Sequence, residues 1–358
     1  MQTKTKRRIA CLLAAVLAVV LILPATAADP LQEAADRAAA YVCRVQPDPQ
    51  NGSIGGEWGV LAMARGEYTV PDGYYERYLA NLETKVRQEQ GVLSTNKYTE
   101  YSRVVLTLTA LGKDPTQVAG YDLLAPLGSR SGTKNQGVNG SVWALIALDS
   151  GDYEVPKAAS PDDQASREDY NDHILSRQDA SGGWKVGRAP TVDPDMTAMA
   201  LQALAKYQDQ EKVRTAIDKG VACLASLQDD AGGFPSWGKI STESTAQVII
   251  ALCRLDISLE DSRFVKNGKT LLDLLYAEQK PDGSFRHAAD GTGNEQMTTE
   301  QALLALTAAL RAREGQSTLY DMTQSGHIQP EGRFVRTVTV VPEAPDLLKR
   351  LMAQSQVS

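Results

Sequence analysis

The sequence predicts an all-α fold, an α/α toroid in which six helix hairpins form an inner and an outer ring of helices. Three observations predict it. A glutamine-to-aromatic motif recurs at intervals of 50 and 51 residues. An Ala- and Leu-rich helical segment follows each copy, and an amphipathic helical segment precedes each copy. Because such units bury their apolar faces only against neighbours, we expect them to close into a ring.

The motif has three clear copies, each with a glutamine, a Gly-Gly or Asp-Gly pair and an aromatic residue. Glycine allows a helix to stop and the chain to turn at low steric cost. The aromatic ring is expected to be buried, and the glutamine to pair with loop backbone. We therefore interpret these residues as structural. They are Gln178, Gly183 and Trp184, then Gln228, Gly233 and Phe234, then Gln279, Gly283 and Phe285.

Degenerate copies extend the repeat toward the N-terminus, beginning at Gln50, Gln90 and Gln136. Together with the clear copies they give six units of two helices each. The two helices of a unit differ in chemistry: the segment 208–227 is amphipathic, whereas the segment that follows Trp143 is apolar nearly all round. This difference predicts amphipathic helices in the outer ring and apolar helices in the inner ring.

The first 27 residues have the pattern of a secretory signal peptide. Four basic residues precede an apolar run at 9–23 and an Ala-Thr-Ala sequence at 25–27. We predict cleavage after Ala27, a toroid over 28–320 and a tail or linker over 321–358. The mature protein is then secreted or held in the cell envelope, with no transmembrane anchor.

Charge and cysteine content limit the partners. Removing the four basic residues of the leader from the total of 37 leaves 33 basic against 44 acidic residues, so nucleic acid is not expected as a partner. Cys43, Cys223 and Cys253 are odd in number, and the last two lie in apolar helical segments. The sequence therefore predicts no disulfide framework.

The repeated Q-x-x-x-G-G-W/F pattern resembles the QW motif of the prenyltransferase and squalene-oxidase repeat. The family that it resembles includes triterpene cyclases, protein prenyltransferase β-subunits, cobalamin carriers and complement thioester domains. The resemblance covers residues 30–320 and implies an α/α toroid. Because these relatives include enzymes and binding proteins alike, it does not by itself imply an activity.

The segment that begins Asp193-Pro194-Asp195-Met196 is similar to the D-x-D-D-T-A acid motif of squalene-hopene type cyclases. The resemblance implies that Asp195 would protonate an alkene or epoxide, assisted by Asp193. Met196 replaces the last aspartate, and the chain has only 4 Trp and 4 Phe to stabilise a carbocation. The residues themselves favour a different interpretation, in which Asp195 caps its helix, since a carboxylate in the first turn meets free N–H groups and the positive end of the helix dipole.

Acidic and aromatic residues recur at the starts of the predicted inner helices, which all lie at one end of a toroid. A concave polar and aromatic mouth is a common form of ligand site. The sequence predicts that such a mouth is lined by Glu57, Trp58, Tyr98, Glu100, Tyr101, Glu243 and Glu300, together with Asp195.

Metal and nucleophile chemistry are not expected. The zinc-binding prenyltransferases that the chain resembles use Asp, Cys and His at inner-helix ends, and this chain has no cysteine there. We predict no cofactor and no metal, and we interpret His287 as a loop or packing residue.

Two functions therefore remain. The first is a binding module that holds a small molecule, such as a corrinoid, an isoprenoid or a glycan, or a surface partner, in the central cavity; export and the altered acid motif favour it over a competent cyclase. The alternative is an enzyme: either a terpene-cyclase-like catalyst that uses Asp195, or a glycan-active enzyme with Asp195 and Glu243 as paired carboxylates.

Overall fold

The computed structural model describes residues 29–236, 238–323 and 336–338, and the protein is predominantly helical there. The predicted leader and most of the predicted tail lie outside these residues. Within them, no helix combines the length and apolar character that a membrane crossing requires. The helices are α1 (Pro30–Val45), α2 (Glu57–Arg65), α3 (Tyr74–Gln88), α4 (Thr99–Ala110), α5 (Arg130–Lys134), α6 (Val138–Ser150), α7 (Arg167–Ser176), α8 (Pro194–Leu204), α9 (Glu211–Leu227), α10 (Thr242–Arg254), α11 (Leu271–Ala277) and α12 (Glu295–Arg313).

The even-numbered helices form a closed inner ring. Each packs against the next even-numbered helix along the chain, and α12 packs against α2, which completes the circle. The odd-numbered helices lie outside; α1, for example, packs on α12, and α9 packs on α8. Because the inner helices have neighbours on most sides, nearly all of their residues are buried. The predicted α/α toroid is confirmed.

The outer element of the third unit differs from the prediction of a full helix. Residues 115–134 form turns, a short 3-10 helix and the five-residue α5. Pro115 and Pro126 cannot donate a helical hydrogen bond, and Gly120 has a positive φ of 88°. These residues prevent a continuous helix, so this part of the outer ring is covered by irregular chain.

The motif glutamines join neighbouring units through backbone carbonyls. The Gln178 amide donates to the carbonyls of Gly182 and Ala216, each at 2.8 Å. The Gln279 amide donates to the Ala34 carbonyl at 2.8 Å, which ties the last unit to α1 of the first. The motif aromatics Trp184, Phe234 and Phe285 are fully buried. These contacts are of the kind expected of structural residues.

The two glycines of a motif have different tasks. Gly182 has a φ of 93°, a conformation that side chains disfavour, and so it makes the turn. Gly183 has an ordinary φ, but a Cβ there would lie 2.8 Å from the Cys223 sulfur and 2.9 Å from the Thr197 hydroxyl. The second glycine is therefore required by close packing against the next outer helix.

A segment after α12 crosses the C-terminal ends of the inner helices. Arg65, at the end of α2, donates to the Leu319 carbonyl at 2.8 Å and the Thr318 carbonyl at 2.9 Å. Arg254, at the end of α10, donates to the Thr318 hydroxyl at 2.6 Å. The Met322 amide donates to the carbonyl of Ser150, the last residue of α6. These contacts cover one end of the ring.

The strands are short and lie at the periphery. β1 (Tyr68–Thr69) pairs in parallel with β4 (Arg336–Thr337), and β2 (Pro235–Ser236) forms an antiparallel hairpin with β3 (Lys239–Ile240). The β2–β3 hairpin follows the motif aromatic Phe234 and leads into α10.

Replacing Gln228 with alanine should destabilise the ring. The Gln228 amide donates to the carbonyls of Gly232 and Phe264 within a buried turn, and loss of the donor leaves both acceptors without this partner. We expect a loss of about 1–3 kcal/mol in the free energy of unfolding, measured by urea denaturation. The control variant Gln88→Ala, at an exposed helix end, should change the free energy of unfolding little. Equal losses in the two variants would contradict a structural role of Gln228.

Candidate functional site

The N-terminal ends of the inner helices meet at the end of the ring opposite the crossing segment. Side chains cap three of these helices. Asp193 accepts from the Met196 amide at the start of α8, Ser241 from the Ser244 amide at the start of α10, and Asn294 from the Met297 amide at the start of α12. These caps fix where each helix begins, and so they fix the acidic residues of the first turns.

A few side chains on the inner helices remain partly exposed, and they mark open space beside the axis. Trp58 is the one partly exposed residue of α2, and Asp195 and Met199, one turn apart, are those of α8. Met297 and Gln301 are partly exposed in the first half of α12. Because packed neighbours surround these helices elsewhere, we assign these side chains to a central pocket. Trp58, Met199 and Met297 contribute apolar surface to it, and Asp195 and Gln301 contribute polar groups.

An aromatic cluster lies at the side of this pocket. The rings of Trp58 and Trp143 have centroids 5.1 Å apart, although their helices, α2 and α6, are not neighbours in the ring. Tyr320, from the crossing segment, meets Trp143 edge-on at 5.9 Å. The cluster therefore reaches past α4 and joins α2 to α6, and Trp58 within it is partly exposed.

Asp195 is the chemically distinctive residue of the site. Its Oδ1 is buried with no hydrogen-bond partner, and the cap of α8 is Asp193. The interpretation of Asp195 as a cap is therefore wrong: Asp193 accepts the Met196 amide and has the extended backbone of an N-cap residue. Burial raises the pKa of Asp195 to about 7, with further contributions from the Asp193 and Glu243 carboxylates. The nearby Ser244 hydroxyl and His287 oppose the rise in the pKa.

Asp193 and Glu243 are held by hydrogen bonds beside Asp195. The second oxygen of Asp193 accepts from the Ser236 hydroxyl at 3.0 Å, in the β2–β3 hairpin. Glu243 is 2.7 Å from the His287 Nδ1 and accepts from the Thr298 hydroxyl. Both carboxylates therefore keep fixed positions, and each has donors that stabilise its negative charge.

His287 is the residue whose position sequence reasoning missed. It lies two residues after the motif aromatic Phe285, and the interpretation as a loop or packing residue is incomplete because its ring is paired with Glu243. Its side chain is 27% exposed, so one face remains accessible. The available signal was a histidine in the loop that leads from a motif aromatic to the next inner helix, α12.

A second cluster of carboxylates lies on the other side of the ring. Glu57 is fully buried and accepts from Asn51, the Gly52 amide and Tyr78. Arg103 binds Glu57 at 2.8 Å and also binds Glu100. The charges of this cluster are thus largely satisfied within the protein, and Glu57 serves to hold the loop before α2.

Glu300 lies at the seam between the last and first units. One oxygen accepts from the Gly55 amide at 2.9 Å and from the Gln296 amide at 3.2 Å, whereas the other is buried without a partner. Burial raises the pKa of Glu300 to about 8, and the nearby Glu57 adds to the rise. Its carboxyl therefore favours the protonated form at neutral pH.

The two predicted tyrosines contact each other. Tyr98 and Tyr101 meet edge-on with ring centroids 5.5 Å apart, and the Tyr101 hydroxyl donates to the Ser94 carbonyl. Of the predicted catalytic and mouth residues, the structure brings Asp193, Asp195 and Glu243 together, and it brings Glu57 close to Glu100 and Glu300. No group of three or more His, Cys, Asp or Glu suited to hold a metal ion occurs in the described ranges.

A layer of amides lies between the acids and the closed end. The Gln202 amide donates to the Gln247 side-chain oxygen at 3.0 Å, and the Gln247 amide donates to the Gln301 oxygen at 2.8 Å. These three residues belong to α8, α10 and α12, which are consecutive in the ring. The ladder fixes the relative rotation of the helices that present Asp195 and Glu243.

Solved structures with the same architecture include an enzyme that this chain matches over nearly its whole length. The type II terpene cyclase MstE from Scytonema, in its apo form, is 14% identical with a TM-score of 0.51, over 79% of this chain and 99% of the cyclase chain. The chain has the α/α-toroid fold of type II terpene cyclases. A variant of MstE in complex with geranylgeranyl dihydroxybenzoate, its substrate, is 16% identical with a TM-score of 0.51, over 79% of this chain and 98% of the other.

One curated protein matches part of the sequence of this chain. The drimenyl diphosphate synthase of Streptomyces showdoensis is 26% identical over 192 residues, which are 52% of this chain and 34% of that enzyme. The chain thus spans about a third of the length of this relative. No family model matches the sequence.

Replacing Glu300 with glutamine should remove a pH-dependent loss of stability. The pKa of about 8 in the folded protein is above the unfolded value of about 4.3. The folded state therefore retains a proton that the unfolded chain releases, and stability falls as pH rises through this range. We expect equal stability at pH 4, and a variant more stable by about 1–3 kcal/mol at pH 9, measured by urea denaturation.

Glu295→Gln provides the matched control, because Glu295 lies on the same helix but is exposed beside Lys280. It should gain no stability at high pH. A Glu300→Gln variant whose stability follows that of the unaltered protein across the whole pH range would show that Glu300 is not buried in the protonated form.

Proposed function

We propose that this protein binds a neutral isoprenoid-type alkene in the central pocket and that Asp195 protonates it, as the initiating acid of a cyclisation. One observation carries the proposal. Asp195 is a largely enclosed carboxyl with an unpartnered buried oxygen, and it lies one turn from Met199 on the open side of an otherwise buried inner helix. The site therefore places a proton donor against an apolar wall.

The surroundings of Asp195 suit proton donation. Burial and the carboxylates of Asp193 and Glu243 raise the pKa of Asp195 to about 7, so about half of the molecules hold the proton at neutral pH, far more than for an ordinary aspartate. When the proton leaves, the Ser244 hydroxyl and the nearby His287 stabilise the carboxylate that remains. The partly exposed face of Trp58 can stabilise a carbocation through its π electrons, and water is poorly accommodated among apolar walls.

The comparisons support an enzyme of this size. MstE, a type II terpene cyclase, is matched over 99% of its chain, so a single toroid is not too small for the proposed reaction. Met196 stands where the acid motif that the chain resembles has its last aspartate. Asp193 and Glu243 supply the negative charge that the missing aspartate would contribute beside Asp195.

The acidity of the site favours a substrate without a diphosphate group. Asp193, Asp195 and Glu243 line one side, and Arg103 on the other side is bound to two carboxylates. An anionic substrate would meet carboxylates in this part of the described chain with little compensating positive charge. We therefore infer a neutral isoprenoid. A neutral substrate also agrees with the predicted export of the protein, since isoprenoid diphosphates are intracellular.

Binding without turnover is the second candidate, and Met196 is the observation that favours it. With one acid fewer than the motif that it resembles, the site could hold a small molecule in the same pocket as an exported binding module. Binding and catalysis would use the same pocket, but only catalysis requires Asp195 to donate its proton.

Replacing Asp195 with asparagine should abolish turnover and preserve the fold. We expect the unaltered protein to convert geranylgeraniol or squalene to cyclic products, measured by gas chromatography and mass spectrometry. The variant should lose roughly 10²–10⁴-fold or more in rate, because an amide cannot donate the proton. The thermal unfolding temperature of the variant should stay the same or rise, because the asparagine amide has no charge to bury.

The control and the contrary outcomes separate the candidates. Geranylgeranyl diphosphate should be a poorer substrate than the alcohol. Binding of the alcohol without conversion, unchanged in Asp195→Asn, would establish a binding module and contradict the acid role. Turnover that persists in Asp195→Asn would assign the acid to another residue.

A further inference from the structure

Gln202 of α8 and Tyr320 of the crossing segment each carry a buried oxygen atom that has no hydrogen-bond partner among the described residues. The atoms are the side-chain oxygen of Gln202 and the hydroxyl of Tyr320. Both side chains are fully buried. Because a buried polar atom without a partner destabilises a folded protein, such atoms point to a ligand or to ordered water.

Tyr320 lies inside the ring. The crossing segment binds the C-terminal ends of three alternate inner helices, at Arg65 of α2, Ser150 of α6 and Arg254 of α10. The ring of Tyr320 meets Trp143 edge-on, with centroids 5.9 Å apart. Because Trp143 lies nearly two turns before the end of α6, the tyrosine ring points from the segment into the ring interior.

Gln202 lies at a similar depth. Trp143 and Gln247 each lie seven residues before the ends of their helices, α6 and α10, which is about 10 Å along a helix axis. The Gln202 amide donates to the Gln247 side-chain oxygen at 3.0 Å, so Gln202 shares the level of Gln247. Tyr320, in contact with Trp143, therefore reaches the layer of the ring interior that contains Gln202.

Asp195 and Gln202 lie on the same face of α8. Seven residues separate them, which turns the helix by almost two full turns and places the residues about 10 Å apart along its axis. Met199, partly exposed, lies between them on this face. The acid thus lies toward the open end of the pocket, and the unpartnered amide oxygen lies at the opposite, inner end.

The two unpartnered atoms are complementary to one hydroxyl group. The Gln202 oxygen can only accept a hydrogen bond, whereas the Tyr320 hydroxyl has a hydrogen to donate. A ligand hydroxyl can donate to the first and accept from the second, which satisfies both atoms. A hydrocarbon end satisfies neither atom, and a diphosphate has no hydrogen to share with the Gln202 oxygen when it is fully ionised.

We propose that Gln202 and Tyr320 form a hydroxyl-binding floor of the central pocket, and that the substrate is an isoprenoid alcohol held with its hydroxyl at this floor. The inference rests on the proposed function and names its substrate class. The hydrocarbon chain then extends along Met199, and its distal alkene lies beside Asp195. The floor fixes one end of a flexible chain, so that the alkene at the other end meets the acid.

Equilibrium binding of two matched ligands tests the floor. Phytanol and phytane are a saturated isoprenoid alcohol and the corresponding hydrocarbon, so neither has an alkene to protonate. Their dissociation constants for the full-length protein are measured by calorimetry, with cyclodextrin as carrier. We expect the alcohol to bind roughly tenfold or more tightly than the hydrocarbon. Tyr320→Phe retains the ring beside Trp143 and removes the hydroxyl, so it should lose most of this preference.

Matched variants distinguish a ligand contact from a structural role. Tyr170 is also fully buried, but its hydroxyl donates to the Leu127 carbonyl at 2.7 Å. Tyr170→Phe should lower stability to urea and keep the preference for the alcohol, whereas Tyr320→Phe should not lower stability without ligand. Gln202→Leu should reduce the preference. Gln247→Leu breaks the same pair of amides but leaves both unpartnered atoms, so it should retain the preference.

The outcomes for the floor and for the acid are separable. Equal binding of phytanol and phytane would mean that the floor holds a bound water only, which overturns the inference and leaves the proposed acid intact. A preference for the alcohol that persists in both Tyr320→Phe and Gln202→Leu places the hydroxyl elsewhere and also overturns it. Failure of both ligands to bind contradicts the proposed function itself, and the floor with it.

Discussion

The closure of six inner helices into a ring is the constraint on which the rest of the structure depends. Each inner helix is apolar on most sides because it contacts two ring neighbours and at least one outer element. An open arrangement would expose the apolar sides of α2 and α12 to water, at roughly 25 cal/mol for each Å² of apolar surface. Closure requires α12 to pack on α2 and on α1, and Gln279 fixes that seam through the Ala34 carbonyl.

Ring closure gives the molecule two unlike ends. At the C-terminal ends of the inner helices, arginines bind the carbonyls of the segment at 317–321, and positive charge is favourable there because the helix dipoles are negative. At the N-terminal ends, the side chains that cap the helices or lie in their first turns are mostly carboxylates and hydroxyls. The same dipole rule therefore explains a covered basic end and an acidic end at which the functional residues gather.

The site itself arises where the repeat departs from its pattern. Most inner-helix starts carry one acid, whereas α8 carries Asp193 as a cap and Asp195 one residue beyond Pro194. The Asp193 cap accepts the Met196 amide, whereas one oxygen of the second carboxyl, Asp195, is buried without a hydrogen-bond partner. The neighbouring α10 begins with Ser241 as its cap and carries Glu243 in its first turn, so a second carboxylate lies near Asp195 and helps to raise its pKa.

The sequence by itself determined the helical class, the six units, the ring and the structural role of the Gln-Gly-aromatic motifs. These follow from periodicity and from glycine and aromatic spacing, which are local properties. It also identified Asp193 and Asp195 as candidate site residues. It could not decide which of the two caps the helix and which is free to act as an acid, because that depends on which side chain is oriented toward the amides of the first turn.

Only the tertiary structure decided that division. It also placed His287 beside Glu243, tied Arg103 to two glutamates, and replaced the third outer helix with irregular chain. Each of these depends on distances between residues tens of positions apart. Such distances are set by how the inner helices rotate as they pack, and hydrophobic periodicity does not specify that rotation to within a hydrogen bond.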